Sequence, residues 1–209
     1  MRVLAIECAT TACSVALFHD GALLAGAHEE IGRGHAERLV PLIATLPGRG
    51  RADRICVSLG PGSFTGVRIG LAAARALGLA WAAQVLGFPT LALVAAMARQ
   101  EAAGPVSVAM LGGHGEWFLQ DFDTAGIAEG PLASLAPADA ARVARHDEVA
   151  GSAAEALVQL RGHGRAHLLL PDARHLPLLP QSAFTPALAP LYGRAPDAKA
   201  LAQPVEARA

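Results

Sequence analysis

Residues 60–66 read GPGSFTG, three glycines and two hydroxyls between a strand-like run and a helix-like one. Loops of this composition hold anions, because free backbone N–H groups at a helix start, reinforced by the helix dipole, attract phosphate. Two well-defined versions do not fit. A P-loop carries Lys and then Ser or Thr after its last glycine, and here Val67 follows Gly66. A dinucleotide fingerprint leaves two residues before its last glycine, whereas Ser63, Phe64 and Thr65 make three. Ser63 or Thr65 can also cap the next helix, which needs no ligand. The loop alone leaves a phosphate site and a plain cap both open.

Other chemistry has less footing. His35-Ala-Glu37 matches the opening of a zinc-deaminase pattern, but no P-C-x-x-C follows anywhere. Neither H-E-x-x-H nor G-x-S-x-G occurs. His163 and His167 are four apart, in a glycine-containing stretch that reads as a turn. The eight histidines are expected to be solvated or capping groups, and no metal site is expected. Cys8, Cys13 and Cys56 are odd in number, lie in apolar runs and form no C-x-x-C. They are expected to be buried free thiols in a reducing compartment.

The elements that would position these residues are legible in the first half. "RVLAIEC" and "CSVALFH" are strand-like, and Asp20-Gly21 marks a hairpin turn into a third strand, "ALLAGAH". In "GRGHAERLVPLIATL" the residues Leu39, Leu42, Ile43 and Leu46 share a helical face, interrupted by Pro41. "DRICVSLG" is a fourth strand running into the glycine loop. The helix over 65–83 carries Gly66, Gly70, Ala74, Gly78 and Ala82 every fourth residue. Each glycine costs a helix about 0.8–1 kcal/mol relative to alanine, so this ridge implies close packing. Packing within the chain and packing against a partner helix both satisfy it.

After "VLGF" and another helix, the second half offers "VSVAML", the turn "GGHGE", "WFLQDF", helices in "PADAARVARH" and "SAAEALVQLRG", and a strand in "AHLLLP". The order echoes the first half in a shorter form and suggests two related α/β lobes, 1–103 and 104–209. With 53% hydrophobic and 17% charged residues the chain can bury a real core, and a net charge of −1 shows no broad nucleic-acid face. Residues 76–98 carry no charge, but Gly87 and Pro89 divide them, so no membrane span and no secretory leader are expected. The expected location is the cytoplasm.

On "GPGSFTGVRIG", with "LAIECATTACSVAL", "GHAERLVPLI" and "PLYGRAPDAK", the sequence resembles the TsaB (YeaZ) family of tRNA threonylcarbamoyladenosine biosynthesis. The likeness is strongest over residues 1–92. It implies a two-lobed actin/Hsp70/sugar-kinase-like (ASKHA) α/β fold with mixed sheets flanked by helices. It also implies a non-catalytic subunit, an inactive paralogue that scaffolds TsaD, the transferase that modifies the adenine beside the anticodon. TsaE would join in a ternary complex, and tRNA would be reached through the complex. The sequence leaves open a homodimer through the same surface when TsaD is absent, and no cofactor is expected. The implied partner face lies on the helices at 34–46 and 65–83, with His35, Leu39, Leu42, Val67, Gly70, Leu71, Ala74 and Arg75 as contacts.

Two departures from the family bear on nucleotide chemistry. The first strand ends in Glu7 where the family has Asp, and "GGHG" at 112–115 replaces an Asp-Ala-Arg-like stretch. Glu7, Thr10, Thr11, Gly62, Ser63 and Thr65 therefore read as a vestigial nucleotide loop. The alternative is an actin-like ATPase or small-molecule kinase using the 60–66 loop. A protease lacks any triad or zinc motif here.

Overall fold

A computed structural model describes residues 1–193 of the chain. Strands β1 (Arg2–Glu7) and β2 (Ala12–His19) pair antiparallel, and Asp20-Gly21 turns the chain into β3 (Ala22–Glu30). Both turn residues have positive φ, 48° and 83°, the conformation a two-residue hairpin needs and that Asp and Gly tolerate. Helix α1 (His35–Ala44), strand β4 (Arg54–Ser58), helix α2 (Phe64–Trp81) and strand β5 (Gln84–Phe88) follow. The sheet runs β3-β2-β1-β4-β5, with β1, β4 and β5 parallel.

Helix α3 (Thr90–Glu101) leads into β6 (Val106–Leu111), β7 (Trp117–Phe122), β8 (Ala133–Leu135), α4 (Pro137–Val143), β9 (Glu148–Ala150), α5 (Ala154–Arg161) and β10 (Arg165–His167). This second sheet runs β8-β7-β6-β9-β10 with the same directions: β6 antiparallel to β7 and parallel to β9. One unit of three antiparallel strands, helix, strand, helix, strand is thus built twice. The repeat is shorter the second time. Strands β8 and β9 have three residues each, too few to show alternation, and sequence reasoning missed both. In "AHLLLP" only His167 and its two predecessors pair, so the strand stops before the leucines.

The core explains which faces are covered. Helices α1 and α2 bury Leu39, Leu42, Ile43, Val67, Leu71 and Ala74 against Leu4, Ile6, Val15, Leu17 and Val57 on one face of the first sheet. Helix α3 is shared. Its Leu93, Ala96 and Met97 pack with Phe18, Cys56 and Phe88, while Leu91, Val94 and Ala98 pack with Val106, Val108 and Phe122 of the second sheet. Pro41 sits inside α1 on its exposed side, so the helix continues through it.

After β10 the chain leaves the second sheet and returns to the first. Ala173, Leu176 and Leu179 bury against Ala5, Ala16 and Phe18. Ser14, buried in β2, donates to the Asp172 carboxylate at 3.1 Å and accepts the Ala173 N–H at 2.9 Å, which fixes the crossing point. Thr185 then bridges Gly87, and the Leu191 N–H donates to the Leu59 carbonyl at 2.7 Å. Residues 194–199 of the closing motif lie outside the described residues. No helix among the described residues is long and apolar enough to cross a membrane.

Candidate functional site

Because the two sheets repeat one plan, their equivalent loops face each other across the gap between lobes. The β1–β2 loop supplies Ala9, Thr10 and Thr11, and the β4–α2 loop supplies Gly62 and Ser63. Opposite them stand Gly112 to His114 of the β6–β7 loop and Ser152 before α5. They enclose a cavity of about 900 Å³, within the range of small-molecule sites. Its wall is mostly apolar, with Met110, Leu111 and Phe118 on the second-lobe side.

On the first-lobe side of this cleft the two loops are held tightly together. The Ser63 hydroxyl caps α2 by accepting the Gly66 N–H at 3.2 Å, and the Ser63 N–H donates to the Ala9 carbonyl at 2.7 Å. A Cβ on Gly62 would stand 1.9 Å from the Ala9 carbonyl oxygen, and one on Gly66 would stand 2.1 Å from that of Cys8. The glycines of the loop are therefore needed where α2 meets the β1–β2 loop backbone to backbone. That need exists without any phosphate, which is the capping reading of the motif.

Of the residues expected to form a nucleotide loop, Thr10, Thr11, Gly62 and Ser63 line the cleft. Thr65 is exposed on α2 outside its lining. Glu7 is fully buried behind the loop. Its carboxylate accepts the Ala9 N–H at 2.6 Å and the Thr90 hydroxyl at 3.2 Å. Burial, the largest cause, raises its pKa from 4.5 to about 7, against the opposing pull of the Ala9, Ser58 and Thr90 hydrogen bonds. A half-neutral acid with its oxygens committed inward is poorly placed to hold a metal–nucleotide. Among the described residues the cleft wall carries no carboxylate of its own.

The expected partner contacts need correction. His35, Leu39, Leu42, Val67, Gly70, Leu71 and Ala74 are all buried within the first lobe, and of the eight only Arg75 is exposed. His35 donates to or accepts from its own lobe, with Nε2 3.2 Å from the Ala12 carbonyl. The physical reason lies in the ridge. Gly66, Gly70, Ala74 and Gly78 face the sheet, where a Cβ on Gly78 would meet Val85 at 2.5 Å. The close packing inferred from the glycines is internal.

Helix α2 has a second small ridge on the opposite side. Ala72, Ala76 and Ala80 recur every fourth residue and are exposed, with Leu79 beside them at 87% exposure. Val40 is 56% exposed on α1, and the charged residues of α2, Arg68 and Arg75, are drawn toward the C-terminal segment. Arg75 donates to the Leu188 carbonyl at 2.8 Å. Arg68 stacks over Phe64 at 3.5 Å and donates to the Tyr192 hydroxyl, and Phe64 and Tyr192 stack with ring centroids 5.9 Å apart. This trio closes one end of the cleft. It went unseen in the sequence because 124 residues separate Arg68 from Tyr192. The expectation of solvated or capping histidines fails at the buried His35 and again at His167, which is buried between Glu101 and Glu148, at 2.9 and 2.6 Å.

Comparison with known proteins places these features. The family model for TsaD, tRNA N6-adenosine threonylcarbamoyltransferase, matches residues 28–178. The tRNA threonylcarbamoyladenosine biosynthesis protein TsaB of Escherichia coli is 44% identical over 101 residues, which are 46% of this chain and 43% of that protein. The match therefore spans less than half of that relative's own length. An uncharacterized protein of Mycobacterium tuberculosis is 31% identical over 208 residues, 96% of this chain and 95% of that one. A crystal structure of a Pseudomonas aeruginosa protein with similarity to peptidase YEAZ superposes with a TM-score of 0.79 at 31% identity, covering 92% of this chain and 99% of that one. The fold is the actin-like ASKHA type, doubled as the two sheets show. With its glycine loop, hairpin and buried ridge in place, the chain belongs to the TsaB/YeaZ family.

Proposed function

We propose that this chain is a non-catalytic subunit of the machinery that makes threonylcarbamoyladenosine in tRNA. It offers the outer face of α1 and α2 to TsaD and so assembles the enzyme in the cytoplasm; TsaE joins that pair, and tRNA is reached through the complex. The observation that carries the reading is the outer ridge of Ala72, Ala76 and Ala80 with Leu79, exposed and uncharged on a well-formed helix. Small side chains at i, i+4 and i+8 let another helix approach closely, and an exposed apolar stripe of this kind favours an unmet partner. The TsaD family model matches this chain over 28–178, which supports a partner built on the same lobe plan. Two like lobes meet naturally helix face to helix face, and a second copy of this chain competes for that surface when TsaD is absent.

Light scattering on the chain alone, with TsaD, and with TsaD and TsaE plus nucleotide tests this directly. A one-to-one complex with TsaD is the expected result, and any homodimer should dissociate on its addition. Separate elution at micromolar concentration in all mixtures overturns the assignment.

The interlobe cavity favours one second reading, an actin-like ATPase or small-molecule kinase, because Thr10, Thr11, Gly62 and Ser63 line it. The commitment of Glu7 behind the loop weighs against it. Calorimetry of the isolated chain with ATP and magnesium distinguishes the two; no binding heat is expected, and saturable binding supports the enzyme.

A further inference from the structure

We propose that Cys8 and Cys13 form a reversible disulfide across the base of the β1–β2 loop, making that loop a thiol-modification site. The pairing register points there first. Glu7 opposes Ser14 in the β1–β2 ladder, so the next opposed positions toward the loop are Cys8 and Cys13. Directly opposed residues in an antiparallel pair have Cα atoms about 4.5–5.5 Å apart, inside the window a disulfide spans. Their Sγ atoms lie 3.9 Å apart, and closing to a bond length of about 2.05 Å requires less than 2 Å of movement. Both thiols belong to the core on one face of the sheet, whereas Cys56 lies in the core on the other face. The fold therefore selects one pair of the three.

The pair is also asymmetric, and the loop that joins the two thiols borders the cleft. Cys8 and Cys13 share a hydrogen bond that raises the pKa of Cys8 and lowers that of Cys13, so Cys13 is the more acidic thiol and the first of the two to lose its proton. Both are buried, but Ala9, Thr10 and Thr11 between them line the cleft wall. With hydrogen peroxide as oxidant, the Cys13 thiolate attacks one peroxide oxygen, the O–O bond breaks, and the departing hydroxide takes up a proton. Cys13 is then a sulfenic acid. The Cys8 sulfur attacks the Cys13 sulfur, the S–O bond breaks, and the Cys8 proton leaves with the hydroxyl as water. Two thiols and one peroxide become one disulfide and two waters, and a dithiol reductant returns two electrons and two protons. The disulfide draws the ends of the loop together, and with them the cleft wall at Ala9 to Thr11.

The test uses the folded full-length chain. It is exposed to hydrogen peroxide, quenched, denatured, alkylated and read by peptide mass spectrometry. Cys8 and Cys13 are expected to lose alkylation together, as one species lighter by two hydrogens, while Cys56 stays alkylated and dithiothreitol restores all three. Hydrogen exchange over residues 9–12 should slow in the oxidised form. In Cys8→Ser, a sulfenic acid on Cys13 should persist and be trapped by dimedone. The proposal is overturned if the two thiols stay alkylated to the same extent as Cys56. It is equally overturned if the folded chain gives the same mixture of pairings as the urea-unfolded chain.

Discussion

At the end of β1, burial holds the Glu7 carboxyl near neutrality in the folded protein, with a pKa of about 7 against 4.5 when exposed. Between these values the folded state keeps a proton that the unfolded state releases, so stability falls as pH rises from about 4.5 to 7 and is then flat. The shift corresponds to roughly 3 kcal/mol. Glu7→Gln keeps the shape and removes the titration. Urea denaturation should find it more stable than the parent at pH 8 and nearly equal at pH 4.5; a parallel pH dependence in both proteins would show that the proton is not on Glu7. His167 acts in the same direction over a different window. Burial lowers its pKa, but the Glu148 and Glu101 carboxylates outweigh this and raise it overall. Its share is present below 6.5 and is lost as pH rises through the raised value. His167→Gln should therefore flatten the stability curve above pH 6.5 and leave the lower part unchanged.

Helix α2 carries two small ridges, one facing the sheet and one facing solvent. On the inner ridge the outcome of adding a methyl group depends on what it meets. At Gly70 a Cβ would find Val57, Cys8 and Ile6 at 3.5–3.8 Å, ordinary contact, so Gly70→Ala should be neutral or stabilising by up to about 1 kcal/mol. At Gly66 it would meet the Cys8 carbonyl at 2.1 Å, and Gly66→Ala should cost roughly 3 kcal/mol through forced backbone movement. Gly70→Leu should unfold the lobe rather than merely abolish pairing. Thermal melts of the three variants give the order directly, and equal losses at Gly66 and Gly70 would refute the packing account. The ridge was legible in the sequence because glycine is costly in a helix and needs a cause. The side it faces was not, since small residues spaced by four serve a sheet or a partner equally well. The outer ridge was missed for the reverse reason: Ala72, Ala76 and Ala80 are ordinary helix formers and raise no question until their exposure is seen. The opening hairpin was readable from Asp20-Gly21 between apolar runs, whereas the three-residue strands β8 and β9 are defined only by their pairing with β7, β6 and β10.

For the whole molecule, the proposed function makes α2 the dividing line between folding and assembly. The inner face, with Val67, Leu71 and Ala74, holds the first lobe together, and α3 and the returning C-terminal segment bind that lobe to the second. None of this uses the outer face. A carboxylate placed there stays in water in the free chain, and such surface changes usually alter stability by no more than about 0.5 kcal/mol. In the proposed complex the same carboxylate would lose its water against the alanine ridge of its own helix, which is costly unless the partner supplies a charge. Ala76→Glu and Leu79→Glu should therefore leave the melting temperature near that of the parent and weaken TsaD binding by roughly thirtyfold or more, the ~2 kcal/mol of an interface hot spot. Leu71→Ala should do the opposite, costing about 2–5 kcal/mol of stability through a core cavity while leaving the affinity of the folded fraction unchanged. Titration calorimetry with TsaD, paired with melts of each variant, separates the two effects. Full affinity in both outer-face variants would place the partner elsewhere on the molecule, and the next surface to test would be the Phe64–Arg68–Tyr192 cluster at the end of the cleft.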